Sequence, residues 1–533
     1  MFPTVDVLIF MTALFTSLTL VPALRRWALD SGSVDHPGPR KVHSQAIPRL
    51  GGVAIFLAFV FSLLAFVEMG REVRGILAGS LVVFIVGLID DLYGLSARMK
   101  FAGEISAVLL TMLISRLYLE RLGDLFGFGE VILPLWFSLP FTLFAVVGVI
   151  NAINFIDGLD GLSGGVSLVA LGAFFFLGRH VGSAGVMTLC AALAGAILGF
   201  LKYNFYPARI FMGDAGSLTV GFVLGFLAIF LTQGPGSTVN PMTPVLVLGL
   251  PIIDTVWVMA RRLLQGKSPF AADMTHVHHK FLNLGLQHRF TVILIYAISL
   301  FWALVAVAAH DWPAYLLLPL YLLISAGCYL ALRHRIIHRE RYPFLALDSS
   351  SGLRESALYS RIAQAAEGVV PVLSTLFVVY LGMVTYAGFR SGGGRWPLGA
   401  VAFAGCAFLL LHFWRPRSRL LLALLYLAGL SVVFAAERQG GGELLPGVSL
   451  SRANDLIFAV MLLLVTVKVL FRRHGEFFVT SAEVTAFVVS IFLAVALSQG
   501  GEFPHFAGVL LRGGILFVAI KTIVSRDRFV SDG

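Results

Sequence analysis

The feature that most constrains this chain is a succession of apolar runs, each near the ~20 residues that an α-helix needs to cross a bilayer. With a 19-residue window, about seventeen such runs can be placed. Their centres fall near residues 14, 60, 82, 110, 145, 170, 192, 224, 252, 300 and 322. After a polar gap they resume near 379, 405, 429, 462, 488 and 514. In hydrocarbon every backbone N–H and C=O must be satisfied within its own segment, so runs of this length predict helices. A chain of 533 residues with 58% hydrophobic and 13% charged residues has too little polar surface for a water-soluble fold. The expected fold class is an all-α polytopic integral membrane protein, with about eleven transmembrane helices in a core and about six more C-terminal ones. No small-residue cleavage site follows the first run, which reads as a retained helix. Cys190, Cys328 and Cys406 stand singly inside runs and read as small hydrophobes.

The net charge of +10 would suit a nucleic-acid binder, but its distribution argues against that. Lys and Arg gather in short loops between the runs, and most of the 39 fall on alternate loops of one side. The positive-inside bias places that side in the cytoplasm, the N-terminus outside and the C-terminus inside. The same parity puts every polar cluster of the first eleven runs on the cytoplasmic side.

Those clusters carry the chemistry. Asn151-Ala-Ile-Asn154-Phe-Ile-Asp157-Gly-Leu-Asp160-Gly161 repeats amides and carboxylates every third residue, close to one helical turn, at the end of a run. Acids at membrane depth are costly and mark function by default. A helix cap explains one carboxylate, not the whole pattern, and the following helix offers N-terminal amides to an anion. Asp90-Asp91 precedes Arg98 and Lys100; the acids suit a base or a hard cation, and the cations suit a phosphate. Phe211-Met-Gly-Asp214-Ala-Gly-Ser217 opens another run. Asp214 there is either a helix cap or a magnesium ligand, with Phe211 a stacking surface for a base. His276-Val-His278-His279 lies in a long loop, where phosphate or sugar contacts are favoured over zinc because no cysteine is near. The first loop, from Val34-Asp35-His36-Pro37 through Arg40, Lys41 and His43 to Pro48-Arg49-Leu-Gly51-Gly52, has basic residues suited to a nucleotide or lipid phosphate; topology explains most of that charge, and the proline and glycine pattern sets the loop apart.

Together, in this order and on one face, these motifs make residues 1–335 resemble the polyprenyl-phosphate N-acetylhexosamine-1-phosphate transferases (glycosyltransferase family 4). The His-Val-His-His form is closest to the undecaprenyl-phosphate GlcNAc-1-phosphate branch, since the phospho-MurNAc-pentapeptide translocases usually carry three consecutive histidines there. The resemblance implies transfer of GlcNAc-1-phosphate from a UDP-sugar to undecaprenyl phosphate, giving a lipid diphosphate sugar and UMP, in the first membrane step of a cell-surface glycan pathway. It implies Mg²⁺ as cofactor, with Mn²⁺ as a substitute. It makes Asp214 the metal ligand with Asn154 beside it. Asp90, Asp91, Asp157, Asp160, His276, His278 and His279 become catalytic candidates. Lys100, Arg49, Asn151, Phe211 and Asp157 become substrate-binding candidates. Its implied partners are a UDP-N-acetylhexosamine, undecaprenyl phosphate and the bilayer of a bacterial inner membrane, without nucleic acid, and with a homodimer as one assembly to test.

Residues 336–367 read as a cytoplasmic surface linker and 368–533 as an accessory transmembrane domain without an assignable cluster, Glu483 and Arg512 notwithstanding. Three alternatives compete. One is the same reaction with UDP-GalNAc, a deoxy sugar or UDP-MurNAc-pentapeptide. Another is a transporter, disfavoured because the acids sit at cytoplasmic ends and not at span centres. The last is a scaffold, which the full polar set argues against.

Overall fold

A computed structural model describes residues 3–30, 34–35, 47–234, 236–267, 275–337 and 368–390, with 405, 429, 432–433, 443–445, 448–470 and 512–520. Thr4–Ser349 and Ser350–Gly533 form two compact units. In the first unit each of the eleven expected runs is helical: α1 (Pro3–Asp30), α2 (Gly51–Phe66), α3 (Arg71–Tyr93), α4 (Ala97–Ser115), α5 (Leu135–Ile156), α6 (Leu162–His180), α7 (Ala184–Asn204), α8 (Gly213–Gln233), the pair α9 (Thr243–Val247) and α10 (Gly249–Leu264), and, after the short α11 (Val277–Asn283), α12 (His288–Ala308) and α13 (Ala314–Ile337). Eight of these helices are long and apolar enough to cross a membrane. The protein is a multi-pass, all-helical membrane protein. The exceptions have visible causes. Helix α2 is only 16 residues long, α4 carries Arg98, Lys100 and Glu104, and the run near 252 is broken at Leu248 into α9 and α10.

Helix α8 is the axis of the unit, buried along nearly its whole length. Small residues let its neighbours close in, as membrane helices require where no hydrophobic effect drives them together. A Cβ at Gly79 of α3 would meet Thr111 Oγ1 of α4 at 2.0 Å, and one at Gly87 would meet the backbone of Asp214 and Ala215 at 2.6 Å. Outward faces remain apolar, with Phe61, Leu64, Leu113 and Phe144 exposed, as lipid contact demands. The strands β1 (Val34–Asp35) and β2 (Ile47–Pro48) pair antiparallel. Pro48 O accepts Phe211 N at 2.7 Å, while Gly51 N and Gly52 N donate to Phe211 O and Met212 O. These bonds lace the first loop onto the entrance of α8.

In the second unit α14 (Val369–Arg390) and α15 (Leu450–Leu470) pack with residues 512–520 around Tyr380, Phe458 and Leu516. A short hairpin, β3 (Glu443–Leu445) with β4 (Val448–Ser449), precedes α15. The runs expected near 405, 429 and 488, and Glu483, lie almost wholly outside the described residues.

Candidate active site

The cluster is assembled where the C-terminal ends of α3 and α5 meet the N-terminal ends of α4 and α8. Its centre is Asp214. Lys100 Nζ donates to Asp214 Oδ2 at 2.7 Å and to Asp90 Oδ2 at 3.2 Å. Asn154 Nδ2 donates to Asp214 Oδ1 at 2.6 Å and to Ser217 Oγ at 2.8 Å. Both oxygens of Asp214 are therefore aimed by neighbours on α4 and α5, yet its side chain keeps 29% exposure. Asp90 Oδ1 accepts Leu95 N at 2.6 Å, which fixes its rotamer.

Asp91 does a different job from Asp90. Its two oxygens accept Asp214 N and Ala215 N, each at 2.9 Å. A carboxylate of α3 thus caps α8 at its positive end, the role that the sequence offered to Asp214 itself. Gly213 makes this approach feasible: its φ is +70°, and a Cβ would lie 2.3 Å from Arg49 O and 2.5 Å from Asp91 Oδ2. Arg49 stands within electrostatic reach of Asp91, and Phe211 is half-buried beside this junction.

Asp157 follows α5; its N–H donates to Asn154 O at 3.2 Å, and its carboxylate has no hydrogen-bond partner among the described residues. Burial, then the carboxylates of Asp214, Asp91 and Asp160, push it up to about 7. Asp160 is already engaged: its Oδ2 accepts Ala208 N at 2.9 Å and its own N–H donates to His288 Nε2. It ties the α5–α6 turn to the turn at 205–210. Asn151 faces inward, 7% exposed, where its amide donates to Glu104 Oε2 at 2.8 Å and Val147 O at 2.9 Å. It supports the cluster from behind and does not line it.

The histidine loop forms the second wall. His276 Nδ1 pairs with Asp254 Oδ2 at 2.8 Å, and Val277 N donates to Asp254 Oδ1. His278 is buried against the α5–α6 turn: a Cβ at Gly158 would meet its Nε2 at 2.4 Å. Its Nδ1 has no hydrogen-bond partner among the described residues. Burial, then His279, His276, His288 and Lys280, hold its pKa down to about 3, so it is neutral at pH 7. The ring of His279 lies 4.2 Å from that of His278. Asp35, His36, Arg40, Lys41, His43 and Asp273 have side chains outside the described residues.

Sequence reasoning overlooked Glu104 and Asp254. Each is a lone acid within an apolar run, and that isolation was the available signal.

A model of glycosyl transferase family 4 matches residues 73–232. The chain is 33% identical over 306 residues to "Probable undecaprenyl-phosphate N-acetylglucosaminyl 1-phosphate transferase" of Bacillus subtilis (strain 168), which covers 56% of this chain and 84% of that protein. It is 35% and 34% identical over 320 residues to the proteins of Salmonella typhi and Escherichia coli (strain K12) named "Undecaprenyl-phosphate alpha-N-acetylglucosaminyl 1-phosphate transferase". Each match covers 58% of this chain and 86% of the relative.

The chain belongs to glycosyl transferase family 4.

The donor set at Asp214 suits a hard divalent cation. Carboxylates outnumber cations there, their oxygens are oriented, and one acid, Asp157, is unpartnered. Among the described residues no three His, Cys, Asp or Glu side chains form a metal cage. Mg²⁺ does not need one, since it is commonly held by one or two carboxylates together with substrate phosphates and water. A cation held by this set would meet the exposed side of Asp214.

Proposed function

We propose that this protein transfers GlcNAc-1-phosphate from UDP-GlcNAc to undecaprenyl phosphate, releasing UMP, with Mg²⁺ bound at Asp214. The observation that carries the reading is the grip of Lys100 and Asn154 on the two oxygens of Asp214, at a point where four helices meet. The named activity of the relatives supports it. The active face is cytoplasmic, the membrane is the bacterial inner membrane, and the N-terminus is outside. Residues 1–335 hold the catalytic machinery and 368–533 are accessory; the linker expected over 336–367 lies almost wholly outside the described residues.

Each side chain has a task in that reaction. Asp214 holds Mg²⁺, with Asn154 orienting the carboxylate. A cation held there would supply positive charge to offset the negative charge of the donor diphosphate. Lys100 presents a fixed ammonium to the incoming lipid phosphate, and Asp90 keeps that ammonium in place. A lipid phosphate has its second pKa near 6, so much of it is already dianionic at pH 7 and needs placement more than deprotonation. Its oxygen attacks the sugar-bearing phosphorus, the P–O bond to UMP breaks, and UMP leaves with the electron pair. Asp91 acts through α8 by holding its first amides, so it is a positioning residue. Neutral His278, steadied against Gly158, offers hydrogen bonds to the sugar phosphate without adding charge. His276 is held by Asp254 and braces that loop. Phe211 supplies an apolar face for the uracil, and Arg49 adds positive charge at the same entrance.

The test is UMP release by purified protein given UDP-GlcNAc and undecaprenyl phosphate, with and without Mg²⁺. Release that needs all three is expected. Release from a different UDP-sugar alone would change the donor, and no release from any donor would remove the reading.

A further inference from the structure

A second polar layer lies one turn deeper than the cluster. Glu104 of α4 is completely buried, at 0% exposure. Its Oε2 accepts Asn151 Nδ2 of α5 at 2.8 Å, while its Oε1 has no hydrogen-bond partner among the described residues. Asn151 uses the same amide nitrogen on Val147 O, at 2.9 Å on its own helix, so the amide is locked.

Lys100 and Glu104 are one turn apart on α4, and Asn151 and Asn154 are one turn apart on α5. The four side chains therefore form two rungs on the same two helices. In the outer rung Lys100 and Asn154 meet on Asp214, at 2.7 and 2.6 Å. In the inner rung Glu104 and Asn151 meet each other. The rotation and axial offset of α4 against α5 that satisfy the inner rung also bring the outer rung together.

Packing does not call for such a rung. A buried oxygen without a donor is desolvated for no return, and apolar side chains of similar volume often match or exceed a buried polar pair in stability. Register does call for it: a polar pair among apolar helices has one satisfying alignment, whereas leucines tolerate several. We infer that Glu104, tied to Asn151, is a positioning residue that aligns Lys100 and Asn154 on Asp214. The inference rests on the reading of Asp214 as the metal-binding carboxylate.

The test uses the full chain in detergent or nanodiscs, as wild type, as Glu104→Gln, and as the double variant Glu104→Leu with Asn151→Leu. Mn²⁺ binding is read by EPR without substrate, folding by thermal unfolding, and turnover by UMP release. The double variant is expected to unfold at or above the wild-type temperature. Its Mn²⁺ affinity should fall about 10–100-fold, the usual range for groups that support a metal ligand from behind, and its turnover should fall with it. Glu104→Gln keeps the acceptor for Asn151, so its Mn²⁺ affinity should stay within about twofold of wild type. A stable double variant with unchanged Mn²⁺ affinity and turnover overturns the inference alone. So does a variant whose affinity falls only in step with its melting temperature, because that is a plain structural tie. A wild-type protein that binds no Mn²⁺ overturns the reading of Asp214, and the inference with it.

Discussion

The two ends of the first unit are built from different bonds. At the end opposite the cluster, loops are joined mainly by backbone and neutral groups, with the Arg121 guanidinium donating to Thr232 O at 3.3 Å. Gln233 Oε1 accepts Glu120 N and Arg121 N, and Gln233 Nε2 donates to Arg121 O. Asn240 N donates to His310 O and Tyr315 N to Asp124 O. At the cluster end carboxylates and an ammonium add to the backbone ties of the first loop, and the Asp157 carboxylate has no hydrogen-bond partner among the described residues. Backbone ties saturate both donor and acceptor and ask for nothing further. Surplus carboxylate charge is costly unless something answers it. One end therefore spaces the helices, and the other leaves carboxylate oxygens open.

Substitutions sharpen that contrast. Asp214→Asn should abolish UMP release while the melting temperature stays near wild type; a variant that still turns over would move the metal elsewhere. Lys100→Met should lower kcat on the order of 10²–10³-fold, as expected for one fixed charge facing a developing anion, measured with saturating lipid and donor. Asp254→Asn leaves His276 without its anionic partner and should lower turnover on the order of tenfold; an unchanged rate would make the Asp254–His276 pair incidental.

The acid–base behaviour of the cluster end should also be visible in stability. The pKa of Asp157 is raised to about 7, so the folded chain holds a proton that the unfolded chain releases near 4, and this group stabilises the fold as pH falls from about 7 to 4. The pKa of His278 is lowered to about 3, so its contribution is full above about 6.5 and is lost as pH falls toward 3. The two oppose each other between pH 4 and 6.5. Asp157→Asn removes the first, so melting temperature should drop more steeply on acidification than in wild type. Parallel curves would mean that Asp157 titrates normally. The smallest effect on turnover belongs to the opposite end. Gln233→Leu strands two backbone donors and should lower the melting temperature by a few degrees, with kcat within about twofold.

Much of the site was legible because its residues are wrong for their surroundings. Asp90, Asn154, Asp157 and Asp214 stand out against apolar runs, and loop charge placed them on one face. Their division of labour was not legible. Nothing in adjacent Asp90-Asp91 says that one carboxylate turns to Lys100 and the other to the amides of α8, since that depends on which face of α3 meets α8. Asn151 belongs to the same three-residue repeat as Asn154, yet the drift of a helical repeat carries it inward to Glu104. The break at Leu248 lies inside one apolar run, where Gly249 and Pro251 were its only signal.

By itself the sequence determined the class of fold and the inventory of reactive groups, because hydrophobic length and side-chain chemistry are properties of local segments. Only the tertiary structure decided which oxygens are spent on helix ends, which are gripped by Lys100 and Asn154, and which acid is left open. Those choices depend on helix rotations of a fraction of a turn, and such rotations are set by contacts between residues far apart in the chain.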